Sequence, residues 1–115
     1  MEKTLFQVEF RVRFMPDHPK AGEYEFGILI VWLYSRCQKD AGAMANKIIA
    51  PLPYSTHGWK SFPVELEKME PYQIKCVEQA KIMGINFALF HWPKGSDENA
   101  VLGNWPCLIP PLNLK

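Results

Sequence analysis

The chain has 115 residues, 48% of them hydrophobic, and sets 13 Lys+Arg against 12 Asp+Glu for a net charge of +1. That length hides roughly two-thirds of the unfolded surface on folding, which provides one core and excludes two domains, so residues 1–115 read as a single globular domain. The hydrophobic content excludes intrinsic disorder, and the balanced charge lacks the basic excess of a domain that holds nucleic acid through counterion release.

Residues 5–14 alternate, with Phe6, Val8, Phe10, Val12 and Phe14 on one face and Gln7, Glu9, Arg11 and Arg13 on the other. This period of two predicts a half-buried strand whose polar row faces water. Pro16, Asp17, Pro19 and Gly22 oppose regular pairing, so residues 16–22 read as the loop of a long hairpin. Residues 24–34 form the second strand. Its run Ile28-Leu29-Ile30-Val31-Trp32-Leu33 does not alternate, as in a strand covered on both faces, and it is placed in the interior of the sheet.

Ser35 is the expected cap of a first helix, in which Ala41, Met44, Ala45, Ile48 and Ile49 recur at helical spacing up to Pro51. Residues 51–58 read as a loop and residues 61–66 as a strand, which Pro63 assigns to a sheet edge because it has no N–H to donate. Pro71 opens a second helix with Cys76, Val77, Ala80 and Met83 as its apolar stripe, and Gly84 closes it. Residues 85–92 make the last strand. Residues 100–115 form an apolar, proline-punctuated tail expected to pack on the sheet or on a neighbouring subunit.

The order strand, strand, helix, strand, helix, strand predicts an α+β fold: a two-layer sandwich of a four-stranded mixed sheet with two helices on one face. It is related at best to the ferredoxin-like arrangement, because a Pro-rich loop stands where that fold has its first helix. Helices on one face leave apolar rows uncovered on the other, so a homodimer is expected through that face and the tail, with Trp32, Trp92, Trp105, Leu108, Ile109 and Leu112 at the interface.

Chemistry-bearing patterns are sparse. The seven glycines make no phosphate-binding loop, and His18, His57, His91, Cys37, Cys76 and Cys107 show no metal-ligand spacing, so neither a metal nor a cofactor is expected. Three scattered cysteines suit reduced thiols, the longest apolar run is half a membrane span, and the first residues lack a secretory h-region. Together these place the chain in the cytoplasm. Cys37 beside Arg36 sits in an electropositive setting, whereas Cys76 on the helix stripe reads as a small hydrophobe. Arg11 and Arg13 with Phe90 or Trp92 outline a sheet-type RNA surface, without the motif that accompanies one.

Two function classes emerge. One is a non-catalytic protein-interaction module that forms a homodimer. The other is a small-molecule-binding domain or minor enzyme with a pocket near His57, Glu65 and His91, in which His57 acts as base and Glu65 orients it.

Overall fold

The computed structural model describes residues 3–93 together with 95 and 97, and of His57 the backbone alone. The chain runs β1 (Thr4–Phe14), β2 (Tyr24–Ser35), α1 (Gln38–Ile49), β3 (Tyr54–Pro63), a 3-10 turn (Leu66–Lys68), α2 (Pro71–Met83) and β4 (Ile85–Pro93). The four strands form an antiparallel sheet in the order β3-β1-β2-β4. The α+β class holds, β2 is interior and β3 is an edge strand.

Three expectations change. The sheet is antiparallel rather than mixed. The helices lie on opposite faces, so the fold has three layers instead of two. The resemblance to a ferredoxin-like arrangement is not shown. The cause lies in β2, whose two apolar rows each need a cover. Leu29, Val31 and Leu33 meet Ala41, Ala45 and Ile49 of α1, together with Phe6, Val8, Phe10 and Val12 of β1. Ile28, Ile30 and Trp32 meet Cys76, Val77 and Ala80 of α2, together with Ala88, Phe90 and Trp92 of β4. Connectivity agrees: α1 carries the chain from β2 past β1 to β3, and α2 then returns it beneath the other face to β4, at the far edge.

Because α2 covers that second face, the polar row of β1 is not wet along its whole length: Gln7 and Glu9 are buried, and only Arg11 and Arg13 reach partial exposure. Trp32 and Trp92, expected at a subunit interface, are buried in the chain's own core. Trp105, Leu108, Ile109 and Leu112, with the rest of the tail, lie outside the described residues.

Local signals set most element ends. Cys37 rather than Ser35 is the N-cap of α1. Gly84 ends α2 in the left-handed region at φ 88°, where a glycine carries no Cβ penalty. Strand β3 begins at Tyr54 instead of after Gly58, so Tyr54, Ser55 and Thr56 of the expected loop are paired with β1.

Candidate functional site

Both strand irregularities of the sheet turn a tyrosine toward one place. In the β1–β3 pair, Phe10 faces Trp59 and Val12 faces Thr56, so β3 carries an extra residue between them. Gly58 lies in that bulge at φ 91°. Without it, Trp59 and Tyr54 would project from opposite faces; with it, Trp59 stacks toward Phe10 and Tyr54 toward Phe14, both on the α1 side. In the β2–β4 pair, Tyr24 faces Pro93 and Phe26 faces Trp92, leaving an extra residue on β2. Phe26 consequently stays in the α2-side core, stacked on Trp92, while Tyr24 swings to the α1 side against His91, with ring centroids 3.9 Å apart.

The result is a cavity of about 260 Å3 at the end of the α1 face, lined by Phe14, His18, Lys20, Tyr24, Tyr54 and His91 among others. Phe14 is its hub: edge-on contacts join it to His18 at 4.6 Å, Tyr54 at 5.3 Å and His91 at 6.3 Å. Such aromatic arrangements hold their rings in place and leave apolar walls.

The polar groups in these walls have assignable roles. His18 Nδ1 accepts the Lys20 backbone N–H at 2.9 Å, and His18 Nε2 lies 3.0 Å from the Tyr54 hydroxyl. Burial lowers the His18 pKa below its ordinary 6.5, so the neutral ring carries its proton on Nε2 and donates it to the Tyr54 oxygen. The Tyr54 O–H is then directed by whatever acceptor enters. His91 is 5% exposed, and its Nδ1 has no hydrogen-bond partner among the described residues. Its pKa is lowered too, by burial first and by the Lys20 charge second. Lys20 adds positive potential at the same cavity.

Of the residues expected at a pocket, His91 takes part and Glu65 does not. Glu65 precedes the 3-10 turn and lines a different cavity, on the α2 side, with Gln7, Glu9 and Gln73. The sheet therefore separates Glu65 from His91. His57 lies on β3, one residue before Gly58, and its side chain is outside the described set. His18 and Tyr24 were not anticipated as a site, whereas the 54–59 segment was expected to border the pocket. Their signal in the sequence was a histidine in the hairpin loop and a glycine beside an aromatic at Gly58-Trp59, and neither shows which face a bulge will choose.

Among the described residues, no three His, Cys, Asp or Glu side chains gather to hold a metal ion, and no helix is long and apolar enough to cross a membrane. Cys76 is buried, which raises its thiol pKa, and it packs on the inner face of α2 as a small hydrophobe. Phe90 and Trp92 are buried as well, so neither offers a ring for stacking RNA bases. No family model, curated protein or solved structure matches the chain, which leaves the geometry of the cavity as the guide to what it does.

Proposed function

We propose that the chain is a small-molecule-binding domain whose ligand is a planar aromatic compound bearing an acceptor or anionic group. One observation carries this reading: two separate bulges aim Tyr24 and Tyr54 at a single cavity, in which a buried His91 nitrogen has no partner among the described residues. Bulges disrupt pairing and are found where a side chain must be re-aimed, and a buried polar atom without a partner costs free energy that a ligand atom can recover. The volume exceeds the ~150 Å3 that encloses benzene, so the size suits one substituted ring or a small fused pair. Its apolar walls stack on the ring, Tyr54 donates to an acceptor, and Lys20 complements a negative charge.

The test is a titration of benzoate, 2-naphthoate and the uncharged 2-naphthol, followed by the ring signals of His18 and His91 in NMR spectra. The carboxylates are expected to shift both rings and to bind more tightly than the naphthol, and Tyr54→Phe is expected to weaken them at least tenfold. Unmoved histidine signals at millimolar ligand would refute the reading.

Self-association is a second reading, favoured by Ile82 and Met83, which stand 78% and 70% exposed at the end of α2. An uncovered sheet face no longer supports it, since both faces carry a helix. A monomer mass by light scattering at micromolar chain would dispose of it, and a dimer dissociated by Ile82→Lys would uphold it.

A further inference from the structure

A second cavity, of about 170 Å3, lies on the α2 side between β1, β3 and the start of α2, and is lined by Gln7, Glu9, Phe62, Pro63, Met69 and Gln73 among others. Three of these side chains are polar and almost fully enclosed: Gln7 is 1% exposed, Glu9 2% and Gln73 0%. Two of them are locked in a chain of hydrogen bonds. The Trp32 indole N–H donates to Gln7 Oε1 at 2.8 Å, and Gln7 Nε2 donates to Glu9 Oε2 at 2.7 Å. This fixes the Gln7 amide and commits one carboxylate oxygen.

Gln73 is oriented from the other side. Its Oε1 accepts the Glu70 backbone N–H at 3.0 Å, a contact that also closes the first turn of α2. The amide cannot flip without losing that bond, so its Nε2 must be the end directed away, and Nε2 has no partner among the described residues. A buried amide N–H2 and a buried carboxylate are thus held on the wall of one cavity. Apolar surface from Phe62, Pro63 and Met69 lies around them.

We infer that this cavity is a binding site for a small amide-type ligand, one that presents an N–H and a C=O on the same edge. The N–H of such a group donates to Glu9, and its carbonyl accepts from Gln73 Nε2. A ligand with only an acceptor makes no use of Glu9, and a cation places its charge against the Gln73 N–H2. The volume is close to the ~150 Å3 that encloses benzene, which sets the size at a single six-membered ring. Lactams, cyclic ureas and pyrimidine-like rings share that edge. The site is independent of the aromatic cavity, because the sheet lies between them.

Three six-membered rings that differ only in this edge test the inference: 2-piperidone with donor and acceptor, cyclohexanone with the acceptor alone, and piperidinium with the donor alone. The readout is the Gln73 side-chain N–H2 signal in the intact chain. It is expected to move with 2-piperidone, which should bind at least tenfold more tightly than the other two. Glu9→Gln should abolish that preference, because Gln7 holds the new amide's oxygen and turns its N–H2 toward the ligand. Gln73→Met should also abolish it, and if that variant fails to fold, Glu9→Gln decides. His91→Phe should leave 2-piperidone binding unchanged whatever becomes of the aromatic cavity. Equal binding of 2-piperidone and cyclohexanone, tighter binding of piperidinium, or a Gln73 signal that none of the three moves because water alone satisfies it would each overturn the inference.

Discussion

Two buried nitrogens without partners among the described residues, His91 Nδ1 and Gln73 Nε2, stand in different relations to stability. The Gln73 side chain also holds the start of α2 through its Oε1, so removing it loses a bond as well as an unmatched donor. His91 has no such second duty in the hydrogen-bond network, and its ring packs by shape against Tyr24 and Phe14. His91→Phe keeps a planar ring and removes the stranded nitrogen. It is expected to stabilise the chain by about 1 kcal/mol, the lower end of what an unmatched buried polar atom costs. A urea denaturation midpoint measured in the absence of ligand checks this. A loss of about 2 kcal/mol would instead mean that the nitrogen is bonded in the folded protein. Tyr54→Phe removes the acceptor that His18 uses and is expected to cost about 1 kcal/mol by the same measurement.

At the scale of the element, most of the architecture is legible in the sequence, because period and punctuation are local. The alternation of β1, the unbroken apolar run of β2, Pro71 and Gly84 around α2, and Pro63 on an edge strand all report on a segment's own neighbourhood. The side of the sheet that a helix takes is not local. Two apolar rows on β2 permit one helix per face or two helices on one face and a partner on the other, and the sequence contains both solutions. The candidate site was hidden for a related reason. A bulge changes the face of every residue beyond it, so period-two reading places Tyr54 and Trp59 on opposite faces when Gly58 in fact joins them. His91 is legible as a polar residue at a strand end, whereas nothing in the spacing of Glu65 tells which cavity it lines. Gly58→Ala tests the role of the bulge. Nothing lies within 4 Å of a Cβ built there, so its cost is conformational alone and is expected to be about 1 kcal/mol, from forcing a side chain to φ 91°. A loss of ligand binding larger than the loss of stability would show that the bulge positions Tyr54 as well as closing the strand. Unchanged stability would show that the strand relaxes out of the bulge.

Across the whole molecule, the two faces respond to pH with opposite signs. On the α1 side, burial lowers the pKa of His18 and His91 from 6.5, so each is more readily protonated in the unfolded chain. Their contribution is complete above the ordinary value and is lost as pH falls through the lowered one. The charges acting there are Lys20, which lowers both values, and Asp17, which opposes the shift at His18. On the α2 side, burial raises the pKa of Glu9 from 4.5, against the Gln7 hydrogen bond and the charge of Lys60, its cross-strand partner. Its contribution is complete below 4.5 and is lost as pH rises through the raised value. Between those ordinary values, acid therefore weakens one face while it relieves the other, and the wild-type stability profile is flatter than either group alone would give. Single variants separate the two. Glu9→Gln removes the relief, so its stability should fall more steeply than wild type as pH drops from about 6.5 to about 4.5. His91→Phe removes part of the loss, so its stability should hold or rise over the same interval. Urea midpoints at five pH values for the three chains decide the matter, and parallel curves would mean that neither buried group titrates differently in the folded and unfolded states.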